Sequence, residues 1–135
     1  MSDPRRSAVS NRSRSAPAPE VGTNLVVLRG VVARPPELRV LASGVEALHL
    51  DVVVAGIDGP SETAPVVWSD PPARAERLDE GLEVVVVGRV RRRFFRVGAT
   101  TATRTEVCAD TVVPVSAAAT VRAAVGAAIG SLTDR

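Results

Sequence analysis

The chain is poor in the residue types on which most enzyme and metal sites depend. Its 135 residues include one cysteine, one histidine, one tryptophan and two phenylalanines, with no tyrosine and no lysine. One cysteine cannot form an internal disulfide, and one histidine leaves neither a Ser-His-Asp set nor a cluster of metal ligands. No glycine loop of the kind that cradles phosphate is present. The sequence therefore predicts that the protein is not an enzyme and holds no metal or cofactor.

No stretch is long and apolar enough to argue for a membrane span. The hydrophobic content of 45% is enough for one core of ordinary size, so we expect one domain with tails. Residues 1–22 are rich in Ser, Pro, Ala and Arg, lack a burying periodicity and predict a disordered basic arm. Because this segment lacks the apolar run of a secretory signal, we expect a soluble, cytoplasmic protein.

The chain does have strand periodicity. Residues 24–33 alternate, with one set of side chains on one face and the intervening set on the other. The first face carries Val26, Leu28, Gly30 and Val32, and the second carries Leu25, Val27, Arg29 and Val31. Pro35 and Pro36 end this strand. A second strand begins at about Leu38 or Ala47 and runs to Val54, and its alternation predicts that His49 points to solvent.

Five further elements follow. Residues 63–68 predict a third strand, 83–95 a fourth and 101–113 a fifth, while 73–79 predict a short helix capped by Asp70. A C-terminal helix is predicted over 116–132, with Ser116 as its cap. The apolar face of this helix comprises Val121, Val125, Ile129 and Leu132.

The most suggestive chemistry lies in the fourth strand. Six arginines occur from Arg89 to Arg104, with no acidic residue before Glu106. Cations that follow phosphates and flat side chains that stack on bases are the requirements for sequence-independent binding of single strands. Alternation places Arg89, Arg91, Arg93 and Phe95 on one face of the strand and Val90, Arg92 and Phe94 on the other. We interpret Phe94 as a core residue; a merely solvated strand face is the alternative for the arginine row.

Two blocks of residues resemble the bacterial single-stranded-DNA-binding protein family. The first block comprises Asn24, Val26, Leu28, Gly30, Pro36, Glu37, Leu38, Arg39, Ser43 and Gly44. The second comprises Val66, Val67, Trp68, Leu78, Gly81, Val86, Gly88, Arg89, Val90, Thr105, Glu106, Val107, Ala109, Asp110 and Val112. Together they cover roughly two thirds of the chain.

The resemblance implies an all-β fold: a five-stranded OB-fold barrel over residues 23–114, with a short helix between strands 3 and 4. An Ala-rich helix and tail would follow at 115–135. It also implies sequence-independent binding of single-stranded DNA, an accessory role in DNA replication, recombination or repair, and association with the nucleoid. The implied assembly is a homotetramer, with a dimer as the alternative, and another single-stranded-DNA-binding protein is a further candidate partner.

The resemblance and the arginine pattern together predict the residues that contact single-stranded DNA. These are Trp68, Arg89, Arg91, Arg93, Phe95, Arg104, Arg34 and Arg39. The alternative for Trp68 is a core position, and Arg39 has Glu37 or Glu46 as alternative partners. Family members commonly carry aromatics in the second strand and just before the third, where this chain has Leu50, Val54, Glu62 and Thr63. At roughly 1 to 3 kcal/mol for each stacked base, we expect weaker binding than in a full family member.

A predicted oligomer interface follows from apolar residues on the outward sides of two strands. Its residues are Leu25, Val27, Val31, Val85 and Val87, which would be exposed in a monomer. A competing hypothesis is an OB-fold protein-interaction module with weak or no DNA binding, whose partner contacts the C-terminal helix or the barrel face.

Overall fold

The computed structural model describes residues 22–132, which form a mostly β structure with one C-terminal helix. The strands are β1 (Val26–Val32), β2 (Glu37–Val40), β3 (Glu46–Val54), β4 (Glu62–Ser69), β5 (Glu83–Val97) and β6 (Thr100–Pro114). A 3₁₀ helix, Ala73–Arg77, lies between β4 and β5, and helix α1 spans Ala118–Ser131. Apart from Gly22, the predicted basic arm lies outside the described residues.

Both predicted starts of the second strand are strand residues. β2 contains Leu38, β3 contains Ala47, and the two strands pair antiparallel around a turn in which the Leu41 amide donates to the Val45 carbonyl at 2.8 Å. The other strands follow their predicted positions, and β5 and β6 are each 15 residues long. The alternation of polar and apolar residues therefore predicted the strands well, because a strand with one buried face requires that period.

Five strands join in a hydrogen-bonded ring. Along the ring the order is β1, β3, β4, β6, β5 and back to β1, and β2 adds to the edge of β3. Neighbours are antiparallel except β4 and β6, which are parallel. β1 and β2 share one edge of β3, because the Pro35-Pro36 corner interrupts the chain between them.

One face of the ring encloses the main core. Its most buried members are valines from five strands: Val32, Val52, Val66, Val84, Val86 and Val112. Two glycines allow strands to approach closely. A Cβ at Gly30 would overlap the carbonyl oxygen of Val53, and a Cβ at Gly88 would overlap that of Cys108. The alternating apolar side chains thus fill the core, and the two glycines allow neighbouring backbones to come close together around it.

A second, smaller cluster lies on the opposite side of β5. Val85 and Val87 are both buried there, and α1 packs on them through Ala128, with Val121 and Val125 beside it. Three further residues complete the cluster: Leu25, Val115 and Ala124. The helix therefore covers the outward side of β5, where the sequence analysis predicted an oligomer interface.

Three details of the predicted helices are wrong. Neither helix has a side-chain cap, since Pro72 and Ala117 occupy the N-cap positions in place of Asp70 and Ser116. Asp70 instead has a φ of 51°, in the left-handed region that asparagine and aspartate tolerate better than most residues. The predicted apolar face of α1 is displaced, because Ile129 is 58% exposed whereas Ala128 is buried.

Candidate nucleic-acid interface

β5 and β6 extend beyond the ring as a projecting hairpin, which we define as residues 90–105. Pairing of β1 with β5 ends at Gly88, and β4 pairs with β6 only at Val107 and Cys108. Beyond these positions β5 and β6 pair only with each other, and Gly98 with a φ of 61° makes the turn. At about 3.3 Å for each residue, eight residues reach roughly 25 Å out from the ring.

A β-bulge lies where this hairpin leaves the ring. Val87 pairs with Thr111 and Gly88 with Ala109, so Asp110 is the extra residue on β6. A bulge bends the strand that carries it and increases its twist. Asp110 thereby marks the change from the covered part of the β5–β6 pair to the exposed part.

One side of the hairpin, together with Arg89 at its base, carries most of the predicted contact residues. We call this side the outer face. On β5 it presents Arg89, Arg91, Arg93 and Phe95, as the alternation predicts. The Arg93 guanidinium carbon lies 5.7 Å from the centroid of the Phe95 ring, a cation–π distance. Arg104 is the register partner of Arg93, so the predicted position of Arg104 across the hairpin is confirmed. Among the described residues, neither arginine has a carboxylate within ion-pair distance.

The rest of the arginine set is neutralised by ion pairs. Arg34 pairs with Asp51 at 3.0 Å, Arg39 with Glu37 at 3.0 Å, Arg89 with Asp110 at 3.5 Å and Arg91 with Glu106 at 2.8 Å. The interpretation of a row without neutralising acids is therefore wrong for Arg89 and Arg91, because β6 returns acidic residues to the same side. The alternative partner considered for Arg39, Glu37, is confirmed.

The Arg91–Glu106 pair differs from the others in its burial. The Glu106 side chain is 2% exposed, and that of Arg91 is 48% exposed. The hydrogen bond to Glu106 raises the pKa of Arg91 above its ordinary value. A carboxylate that is buried needs such a partner, so this pair fixes the position of Arg91 at the base of the hairpin.

Arg34, Arg39 and Arg104 meet around His49. They line a depression of about 150 Å³, together with Asp51, Glu106 and other side chains. His49 points outward from β3, as predicted, but its side chain is half-buried instead of fully solvated. Burial, and next the charge of Arg39, lower the pKa of His49 below its ordinary value of 6.5. At neutral pH the imidazole is uncharged and available to accept or donate one hydrogen bond at each nitrogen.

Trp68 does not belong to this interface. Its side chain is 4% exposed and packs in the main core, opposite Leu48 on β3. The Arg74 guanidinium carbon lies 5.2 Å from its ring centroid, and this arginine donates to the Val112 carbonyl at 2.8 Å. A base has no free face of the ring on which to stack. The prediction of Trp68 as a stacking residue is wrong, and the alternative core position is correct.

Two of the five predicted interface residues do not need a partner subunit. Val85 and Val87 are buried against α1, so a covering subunit is not required there. Leu25 packs at the edge of the same cluster. Val27 and Val31 remain 44% and 39% exposed. Oligomerisation stays a prediction. Val27 and Val31 are the predicted interface residues whose exposure still supports it.

The side of the hairpin opposite the outer face contains residues that sequence reasoning did not select. Phe94 was interpreted as a core residue, but it is 66% exposed. The interpretation is wrong because the ring ends at Gly88, so within residues 22–132 no element packs beyond it on that side. Arg92 and Arg96 lie on the same side and are exposed. The sequence signal that could have revealed this exposure was the length of the predicted fourth strand, which exceeds the lengths of the predicted first and third strands.

Comparison with models of protein families found no match, and comparison with curated protein sequences found none either. Within residues 22–132, no helix has the length and apolar character needed to cross a membrane. The family resemblance therefore stays a prediction.

Proposed function

We propose that this protein binds single-stranded DNA without sequence preference, through the outer face and the projecting hairpin of an OB-fold. The observation that carries the proposal is the set formed by Arg93, Phe95 and Arg104. One guanidinium lies over an exposed aromatic ring, and a second lies directly across the hairpin. Two cations and a flat ring at one place are the elements of single-strand recognition.

The strand order supports an OB-fold. If β1 and β3 to β6 are counted as the five strands of the ring, their pairing order is 1-2-3-5-4 with closure to 1, and the 3–5 pair is parallel. OB-folds bind oligonucleotides on the face of strands 2 and 3 and on the loops after strands 1 and 4. In this chain, those positions are β3, β4 and the projecting hairpin. The depression around His49 lies on the same face, since His49 and Val67 are register partners there.

The ion pairs support modest affinity. Arg34, Arg39 and Arg89 are each more than half exposed in pairs with carboxylates, and such pairs contribute about 0 to 1 kcal/mol. A phosphate can therefore replace the carboxylate at low cost. Because the carboxylates remain nearby and repel the strand, we expect these arginines to contribute less than Arg93 and Arg104 do.

Replication, recombination and repair are the processes that expose single-stranded DNA, and an accessory role in them follows from this activity. The competing protein-interaction hypothesis places its partner on the C-terminal helix or the barrel face. Val121 and Val125 of that helix pack on β5, whereas Ile129 and Leu132 remain exposed, so only the end of its predicted apolar face is open to a partner.

The test is a titration of labelled oligo-deoxythymidine of about 35 nucleotides, followed by fluorescence anisotropy at several salt concentrations. The affinity should fall with salt at a slope of about 0.7 for each contacted phosphate. Phe95→Ala should weaken binding roughly 5-fold to 150-fold, corresponding to one stacked base at about 1 to 3 kcal/mol. Arg93→Ala and Arg104→Ala should weaken it and reduce the slope.

The matched control is Arg122→Ala, which removes the same charge from the exposed side of α1. This variant should bind as the unaltered protein does. Absence of binding at low salt, or equal losses in Arg122→Ala and Arg93→Ala, would count against the proposed interface.

A further inference from the structure

The projecting hairpin has a second face with the same kinds of side chain as the first. We call it the reverse face. On β5 it presents Val90, Arg92, Phe94 and Arg96, and on β6 their cross-strand partners include Thr105, Thr103 and Thr101. These residues are all exposed. An aromatic ring thus lies between two arginines along one strand, with a row of threonine hydroxyls beside it.

The charge of the reverse face is entirely positive. Arg92 and Arg96 have no carboxylate within ion-pair distance among residues 22–132. This differs from the outer face, where Glu106 and Asp110 pair with Arg91 and Arg89. Like charges that no acid neutralises repel each other, so an anionic partner would relieve the repulsion.

The apolar surface of the reverse face has no partner within the described residues. Phe94 lies on the same side of β5 as the core residues Val84 and Val86, but beyond the end of the ring. It is 66% exposed, and Val90 is 44% exposed. A single exposed ring flanked by cations two residues away on each side matches a partner in which flat bases alternate with phosphates.

We propose that the reverse face is a second binding strip for single-stranded nucleic acid, in which Phe94 stacks on a base and Arg92 and Arg96 contact the flanking phosphates. The projecting hairpin then holds two segments of strand, one on each face. This inference rests on the proposed function of the outer face. Its consequence is that one protomer can bring together two strands, or two distant parts of one strand.

The test counts binding sites with a short strand, so that each face can bind its own copy. Oligo-deoxythymidine of about 8 nucleotides falls within the range of about 4 to 16 nucleotides that one OB-fold engages. Isothermal titration calorimetry of the full chain should give two sites for each protomer. Phe94→Ala and the double variant Arg92→Ala, Arg96→Ala should each lose one site, and so should Phe95→Ala.

Ile129→Ala is the control, since Ile129 is an exposed apolar residue of α1 that lies on neither face of the hairpin. It should retain two sites with affinities within twofold. Circular dichroism of each variant confirms that the sheet is intact. All substituted side chains are exposed, so the fold should be unchanged.

The outcomes separate the two proposals. One site that Phe94→Ala leaves unchanged and Phe95→Ala removes would overturn the reverse-face strip and keep the proposed function. One site lost only with Phe94→Ala would overturn the outer face as the primary interface and support the strip. No binding by any variant would overturn both. Vesicles containing anionic phospholipid should not bind; binding that Phe94→Ala abolishes, with no oligonucleotide site, would overturn the strip as a nucleic-acid site.

Discussion

The side chain of Asn24 forms both hydrogen bonds of a strand pair with the backbone of Val90. Its Nδ2 donates to the Val90 carbonyl at 2.8 Å, and its Oδ1 accepts from the Val90 amide at 2.9 Å. β1 itself pairs with β5 only as far as Gly88. The asparagine thus extends the ladder by one step with a side-chain amide, at the point where the projecting hairpin leaves the ring.

Asn24→Leu should loosen the base of the hairpin while leaving the ring intact. The substitution keeps a similar volume but removes both hydrogen bonds, at a cost of about 1 kcal/mol in the free energy of unfolding. Amide hydrogen exchange of residues 90–105 should become faster, whereas exchange of β3 should not change. Thr23→Leu adds apolar bulk one residue earlier and serves as the control. Equal exchange in the two variants would show that the amide contacts do not hold the hairpin.

His49 should give the protein a pH-dependent stability. Its pKa is lowered in the folded chain, first by burial and then by Arg39, so between that lowered value and 6.5 the unfolded chain binds more protons. The free energy of unfolding should therefore fall as the pH is lowered below about 6.5. His49→Gln should flatten this part of the profile, measured by urea denaturation from pH 7.5 to pH 5.

Strand binding should raise the pKa of the same imidazole. Phosphates that approach Arg39 and Arg104 favour the charged form of His49, which lies in their depression. His49 is the chain's single histidine, so proton NMR follows its titration without assignment. An unchanged pKa in the presence of saturating oligo-deoxythymidine would place the strand away from this depression.

Glu106→Gln should affect stability and binding in opposite directions. The variant replaces the charged partner of Arg91 by a neutral one in a buried position, so the free energy of unfolding should fall, by roughly 1 to 3 kcal/mol. It also removes a negative charge from the outer face, so affinity for oligo-deoxythymidine should rise and its salt dependence should steepen. Glu83→Gln, which removes the partner of Arg29 on β1, is the control. Weaker strand binding by Glu106→Gln would contradict the view that its carboxylate competes with phosphate.

The packing of α1 predicts which of its positions tolerate a charge. Val125→Asp would place a carboxylate against Val85 and Val87, and should lower the free energy of unfolding by about 2 to 3 kcal/mol. Ile129→Asp, four residues later and 58% exposed, should change it by less than about 0.5 kcal/mol. Thermal denaturation distinguishes the two. Sedimentation velocity of Val125→Asp also shows whether release of the helix promotes self-association through the uncovered valines.

Gly88→Ala should be among the most destabilising changes that add a single methyl group. The new Cβ would overlap the Cys108 carbonyl oxygen, which belongs to the neighbouring backbone and cannot turn aside. We expect a loss of about 1 to 3 kcal/mol, with slower recovery of the β5–β6 pair on refolding. Gly126→Ala on α1 has open space around the added methyl and should be neutral or stabilising. Similar losses in the two variants would contradict the close approach at Gly88.

The sequence by itself determined the strands, because alternation is a local property that each segment carries in its own residues. The positions of β1, β4, β5 and β6, and the members of the core such as Val84 and Val86, follow from that period. It also determined that Arg91, Arg93 and Phe95 share one face. Strand geometry allows no other arrangement within a continuous strand.

Only the tertiary structure decided what each face meets. Alternation assigned Phe94 to the core side and Val87 to the outward side, yet Phe94 is exposed and Val87 is buried. The ring ends before Phe94, and α1 folds back over Val87. Likewise, Glu106 pairs with Arg91 because β6 returns beside β5. Burial and ion pairing depend on distances between segments that are remote in the chain, and no local period encodes them.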